Sequence, residues 1–574
     1  MALVTLAAAA PAAAAPADAT AGSTEPGIEV SADLPRKPRS YEIGPAEAIR
    51  IANRDPKVAE TRERYGRLEA SADTDPPATW EVGYFADDRE VAQVLVDDPT
   101  ASVREAWTGD QVAWQMARGY EGSFGHTLNA PYVWLPLSLL FLCGLFDWRR
   151  PWRIVHLDLL VLLGFGVSLF FFNRADIGVS VPLAYPVLVY LLARMIWVGF
   201  RRRGEGLNPT APIAWLAIGA AFLLGFRIAL NIADSGVIDV GYSGVVGADR
   251  IVHGEQLWGE GEFPDDNPFG DTYGPVNYYA YVPFELVLPW SGEWDELAAG
   301  HAAAIFFDLA AAALLFALGR RMRAGVAGRD LGVVLAFAWA SFPFTDYALQ
   351  SNANDSLVAA LVLAALVLIG SPAGRGAMAA MAAMAKFAPL GLAPLLAAGP
   401  RAGLASRDPE TGEGALAGAR LRSLGIFVAA LRGVGGLAMA LPLVDPGAAT
   451  FLDRTLAEQI DRDSPFSIWG QERGLADVRI GLIVAVAAFA VLVAFLPRRR
   501  TLPQIAALAA AVLIALQLTV EHWFYLYIVW FFGPAIAAIA AIGSEPPPER
   551  ATPAKLAGVG DSKSVGGVSR SSER

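Results

Sequence analysis

The sequence predicts an all-α polytopic membrane protein of about eleven transmembrane helices plus a re-entrant hairpin, with a small α+β extracytoplasmic domain at its N-terminus. Three observations predict it. Of the 574 residues, 54% are hydrophobic and only 18% charged, with a mean hydropathy of +0.39, whereas a soluble domain carries about 25% charge. The apolar residues fall in runs of about 18–22, the length that crosses a hydrocarbon core. The arginines divide unequally between alternate loops. Together these exclude a soluble multidomain enzyme, a fibrous protein and a disordered chain. The net charge of −12 argues against nucleic acid, which asks for a basic face. The single Cys143 leaves no material for disulfides, Cys-based zinc sites or Fe–S clusters; lying in an apolar run, it reads as a packed, inert thiol.

In chain order, residues 1–17 are Ala-rich with A-x-A sites and look like a secretory signal that lacks a basic start. Residues 18–128 are soluble in composition. Apolar spans follow at about 131–148, 155–173, 180–200, 211–231, 301–319, 330–349, 355–370, 423–443, 478–496, 501–520 and 525–543. If the head lies outside, the loops expected to be cytoplasmic hold 18 arginines and the opposite loops 5. That split follows the positive-inside rule and places the C-terminus in the cytoplasm. The Pro/Ser/Gly-rich residues 544–574 read as a disordered tail.

Two apolar pieces are too short or too broken to cross. "NYYAYVPFELVLPW" at 277–290 has acidic loops on both sides and reads as an outer-face interfacial segment. Residues 376–399 lie between Arg375 and Arg401, so both ends belong to one side. This makes a hairpin turning near Lys386 and Pro389, and such backbone is tolerated only when it is buried in protein or lines a cavity.

In the head, 45–70 has helical apolar spacing; "TWEVGYF", "EVAQVLVD" and "SVREAWTG" alternate like strands between acidic turns. A helix followed by a small antiparallel sheet resembles the PepSY-like domains of secreted and membrane bacterial proteins. The resemblance implies a binding or regulatory module, against a plain structural cap.

The longest outer loop, 232–300, holds thirteen Asp or Glu against one Arg and no Lys, and is rich in Tyr, Trp and Gly. That composition suits a surface that handles sugars, because aromatic faces stack on pyranose rings while carboxylates take hydroxyls; for most of these acids, Glu260, Glu262, Asp265 and Asp266 among them, a solvated acidic loop is the alternative. Asp239 stands about eight residues beyond a span, with Asp234 as a reserve nearer the membrane. The run that follows it is amphipathic, and Val240, Tyr242, Val246, Ile251 and Leu257 are expected to seat it on the bilayer surface. Asp239, Gly254, Trp258, and either Tyr273 with Pro275 or Tyr281 with Pro283, resemble the pattern of GT-C glycosyltransferases. The similarity is closest to the polyprenol-phosphate-mannose-dependent mannosyltransferases, although Trp258 stands where that pattern carries Tyr. A sugar on a lipid phosphate already has a good leaving group, so one base suffices to take the acceptor proton, and Asp239 is the candidate.

Lys386 is the only lysine between Lys57 and Lys555. A cation within an apolar hairpin is a functional hypothesis by default. Its "KFAP" segment resembles the Lys-x-x-Pro of the same family, which implies that it holds the donor phosphate; the competing reading is a snorkelling lysine. "NAND" at 352–355 resembles the family's Asn-x-Asn-Asp, giving Asn354 and Asp355 as substrate contacts, with Asp355 as a helix N-cap the alternative. Arg462 beside "SPFSIW" resembles the family's arginine and implies a second phosphate ligand with Trp469 nearby; a surface ion pair is the alternative. His522 is placed to assist the site, or to belong to an interfacial aromatic belt.

The resemblance covers about 211–543 and implies a GT-C-like catalytic domain, with 129–210 as three accessory helices. The expected function is transfer of a sugar, mannose by the resemblance, from a polyprenyl-phosphate donor to an extracytoplasmic hydroxyl on a glycolipid or glycan, with inversion. No cofactor or metal is expected. A lipid or solute transporter without covalent chemistry is the rival; it predicts inverted repeats, and none is visible.

Overall fold

A computed structural model describes residues 27–543 apart from 32–33, 76–77, 88, 120–125, 202–203, 265–266, 293, 295–296, 401–412, 458–463 and 499. The signal-like segment, the tail and Arg462 lie outside the described residues.

The head contains a five-stranded sheet in sequential order: β1 (Ile28–Val30), β2 (Leu68–Asp75), β3 (Thr79–Ala86), β4 (Arg89–Asp97) and β5 (Ser102–Thr108). β1 runs parallel to β2 and the remaining pairs are antiparallel, so the sheet is mixed where a purely antiparallel one was expected. Alternation sends Trp80, Val82 and Tyr84 of β3 and Ala92, Val94 and Val96 of β4 to one face. There they form a core with Ile49 and Val58. The single helix expected over 45–70 is two helices, Pro45–Ala52 and Pro56–Tyr65, and then β2. Pro56 lacks the N–H that would continue the first helix. Asp55 starts the second by accepting from the Lys57 amide at 2.8 Å.

Among the described residues, six helices are long and apolar enough to cross a membrane: Ile154–Phe172, Ile177–Phe200, Ile213–Asp234, Ala298–Met322, Gly418–Ala438 and Ala476–Phe495. A seventh forms if Gly325–Ser341 and Pro343–Gln350, bent by 58°, count as one broken span. The other expected crossings appear as shorter apolar helices at Pro131–Leu145, Asp355–Val367, Leu502–Gln517 and Tyr525–Ala541. Three of these have a physical reason for being short. Asp355–Val367, Leu502–Gln517 and Ile528–Ala541 are buried along nearly their whole length, and a helix enclosed by other helices needs no match to the bilayer. The long helices turn apolar side chains outward instead: Trp215 and Phe222 are each 69% exposed. Cys143 is exposed as well, not packed as its apolar run suggested.

A buried ionic knot lies inside the bundle. Arg227 meets Asp308 at 2.8 Å and Asp346 at 3.3 Å. Trp339 Nε1 donates to Asp308 and Gln350 Nε2 to Asp346, both at 2.8 Å. All are buried, and together they tie four helices to one another.

The hairpin exists as Pro372–Ala385, a break at Lys386 and Phe387, a 3₁₀ turn and Ala393–Ala398. Buried Arg375 closes its base, donating Nε to the Leu396 carbonyl at 2.7 Å and Nη1 to Ile369 at 2.9 Å. The 277–290 segment holds only two short helical turns, with Leu286 and Val287 exposed. The run after Asp239 forms the helix Asp239–His253, but it does not lie on a bilayer. Val240 to Ala248 are all buried in protein, with Tyr242 stacked on Trp294 at 3.9 Å.

Candidate functional site

A cavity of about 300 Å³ opens where the hairpin turn, the start of the Asp239 helix and the 521–530 segment converge. Of the site residues expected from the sequence, Asp239, Tyr273, Asp355, Lys386 and His522 line it. They come from parts of the chain up to 283 positions apart, so no local motif contains them.

Lys386 sits in the hairpin break, its side chain largely buried. Its Nζ meets Asp355 Oδ1 at 2.8 Å and lies 5.3 Å from the ring centres of Tyr527 and Trp530 and 5.9 Å from that of Tyr273. The lysine therefore stands in an aromatic box, where ring faces stabilise the cation, and it does not snorkel. Asp355 is the first residue of Asp355–Val367, and Asn354 is the N-cap. Asp355 Oδ1 also accepts from Trp530 Nε1 at 2.7 Å, and the helix N-terminus favours its negative charge. Asp355 Oδ2 is buried and has no hydrogen-bond partner among the described residues.

Asp239 opens its helix after the N-cap Ile238, its Oδ1 within 2.8 Å of the next amide nitrogen. Its carbonyl is held by Ser243 Oγ at 2.7 Å and Asn267 Nδ2 at 3.0 Å. Asp234 is the last residue of the preceding span, with its carboxylate at Thr127 and outside the cavity lining.

Of the two candidates Tyr273 and Tyr281, it is Tyr273 that lines the cavity. Its loop lies directly on the hairpin, since a Cβ on Gly274 would come within 2.1 Å of the Met384 carbonyl oxygen. Tyr278 fixes this loop by donating to Gly270 O at 2.8 Å and accepting from Tyr273 N at 3.2 Å. Trp258 is a fully buried strut whose Nε1 reaches the Tyr273 carbonyl at 3.4 Å. Gly254 closes the Asp239 helix at φ +73, a conformation few other residues accept.

Three expected contacts are elsewhere. Tyr281 is buried under Gly244, whose Cβ would lie 2.7 Å from its ring. Asn354 is buried with Nδ2 on Asn277 Oδ1 at 2.6 Å. Trp469 anchors a loop through Nε1 to Leu518 O at 2.9 Å. None of the three lines the cavity.

Other members of the site carry no sequence signal of their own. Arg479, paired with Glu521, lines the cavity; an Arg at the start of an apolar helix reads as an ordinary interfacial charge. Met116 comes from the head. Arg454 grips buried Asp271 with two bonds of 2.7 and 2.8 Å, bracing the Tyr273 loop. His522 Nδ1 is 2.9 Å from Ser464 Oγ. Among the described residues, no group of three or more His, Cys, Asp or Glu is placed to hold a metal ion.

The arrangement joins a boxed cation, a carboxylate at a helix start and an apolar wall formed by Phe387, Leu513 and Leu516. Such a cavity can hold an anionic group attached to an apolar chain while presenting a base. No protein-family model matches the chain, and no curated protein matches it.

Proposed function

We propose that the protein is a membrane glycosyltransferase of the GT-C type that moves a sugar, mannose by the resemblance, from a polyprenyl phosphate to a hydroxyl of a glycolipid or glycan outside the cell. The observation that carries this reading is the convergence of Asp239, Lys386, Tyr273 and His522 on one cavity with an apolar wall. Lys386 exchanges Asp355 for the donor phosphate, forming a charge-assisted bond that offsets the cost of its burial. Tyr273 and Trp530 provide faces for the sugar. Asp239 takes the proton of the acceptor hydroxyl as its oxygen attacks the anomeric carbon. The carbon–phosphate-oxygen bond breaks, the lipid phosphate leaves with the electron pair, and a single displacement inverts the anomeric centre.

The experiment is direct. Purified protein in lipid is given a radiolabelled polyprenyl-phosphate sugar and a glycolipid acceptor, and the product is checked for anomeric configuration. Inverted product supports the reading. Absence of transfer from every polyprenyl-phosphate sugar tried would leave the transporter reading in its place.

A further inference from the structure

The head is not a separate appendage, because one short segment of it enters the site. After β5 the chain forms two single turns, Asp110–Ala113 and Gln115–Arg118. Trp114, between them, packs edge-on against Phe466 at 5.5 Å and tilts over His522 at 5.4 Å. Met116 lines the cavity, and Ala117 is fully buried in the core of the membrane bundle, not in that of the head.

On its other side the same segment is tied to the sheet, chiefly through Arg118 among the described residues. Arg118 donates Nε to Gln111 O at 2.9 Å and Nη2 to Gln93 Oε1 at 2.5 Å, and its guanidinium lies 5.4 Å from the Trp107 ring centre. Gln93 donates in turn to Glu81. The segment is thus short, irregular and held by a few polar contacts on one face, while its apolar face brings Met116 into the cavity wall. A long helix in that place would be rigid; two isolated turns have little stability of their own.

We propose that the Asp110–Arg118 segment is a movable wall of the cavity, held shut by Arg118, and that the hydroxyl-bearing acceptor is admitted past it. The wall is argued from geometry alone; its assignment to the acceptor rests on the glycosyltransferase reading. The opposite wall, from the hairpin and Leu513–Leu516, is apolar and suits a lipid-borne donor. The Trp114–Met116 side joins a water-facing domain to the cavity, which suits a glycan.

Access is measured with Leu516→Cys, a lining position, in a Cys143→Ala background, by the labelling rate with a small charged thiol reagent. Trp114→Ala removes the packed aromatic and should raise that rate by about tenfold or more, a hot-spot-sized effect. Arg118→Gln should do the same by releasing the wall from the sheet. In transfer assays both should change the KM for acceptor while donor-lipid binding stays within about twofold. An unchanged labelling rate in Trp114→Ala overturns the wall, whatever the protein catalyses. Faster labelling with a protein that transfers no sugar keeps the wall and overturns the glycosyltransferase reading. An effect on donor binding with none on the acceptor overturns the assignment to the acceptor side.

Discussion

Lys386 and Asp355 form an ion pair of 2.8 Å at the cavity wall, although they stand 31 positions apart in the chain. The lysine that was expected to await a phosphate already holds an anion, and that anion belongs to the protein. A ligand phosphate must therefore compete with a carboxylate, and the pair sets how strongly.

Lys386→Ala should weaken donor binding by about 10–100-fold, the worth of one charge-assisted hydrogen bond. It also strands Asp355, so misfolding has to be separated from lost binding. The double variant Lys386→Ala with Asp355→Asn removes both charges and should restore thermal stability without restoring donor affinity. Equilibrium binding of a polyprenyl-phosphate sugar checks this; wild-type affinity in the double variant would mean the lysine serves only the fold.

Asp239→Asn retains size and should leave folding and donor binding intact, while transfer falls by about 10²–10⁴-fold, the usual contribution of a positioned general base. Asp234→Asn is the control and should cost far less, since that carboxylate faces Thr127 and not the cavity. Single-turnover transfer rates decide between them.

Glu90 predicts a pH dependence in the head. Half-buried on β4, it faces Glu81 on β3 and Arg118 from the cavity segment. Burial first, and then repulsion from Glu81, push its pKa up to about 7, with Arg118 opposing. Glu81 is raised too, chiefly by burial, with Asp73 and Asp75 adding to it, and Glu105 is a further carboxylate attracting Arg118. A carboxyl raised on folding binds its proton more tightly in the folded state. Its effect is therefore a loss of stability as pH rises from about 4.5 to about 7. Hydrogen exchange in β3 and β4 of the intact protein should be faster at pH 8 than at pH 5.5 after correction for intrinsic rates. Glu90→Gln should flatten that difference; an unchanged slope would show that Glu90 does not set it.

The buried knot makes a stability prediction. Arg227→Met leaves Asp308 and Asp346 buried without their cation, which should cost about 3–5 kcal/mol. Asp308→Asn should cost less, because Asp346 keeps its arginine. Thermal unfolding in detergent ranks the two.

Sidedness is checked by labelling. Glu260→Cys in a Cys143→Ala background should react from outside intact cells, and the arginine division of 18 to 5 leads to that expectation. Reaction only after the membrane is opened would reverse the orientation.

Composition and run length made the helical membrane part legible, and the Lys386 hairpin was legible because two arginines bracket it. What the sequence concealed was depth within the bundle. Leu502–Gln517 and Asp355–Val367 are apolar for the same reason as a crossing helix, but they are enclosed, and hydropathy does not distinguish lipid from protein as the apolar neighbour. The site was half legible. Asp239, Tyr273, Asp355, Lys386 and His522 reach the cavity, whereas Tyr281, Asn354 and Trp469 carry equally apt motifs and serve as packing. Arg454 and Met116 had no motif to mark them; their roles come from contacts between distant segments, which spacing along one chain does not encode.

The stapled base of the hairpin has a geometric consequence. Arg375 is fixed to Leu396 and Ile369, and the helix from it runs without a break to Ala385. Eleven positions on, at about 1.5 Å each, Lys386 lies roughly 16 Å above the staple, about half of a 30 Å hydrocarbon layer. The hairpin is in effect a gauge rod: the plane at which an anion meets this cation is set by a count of residues. Substitutions that keep the rod helical leave it in place, whereas adding or removing one turn would move that plane by about 5.4 Å.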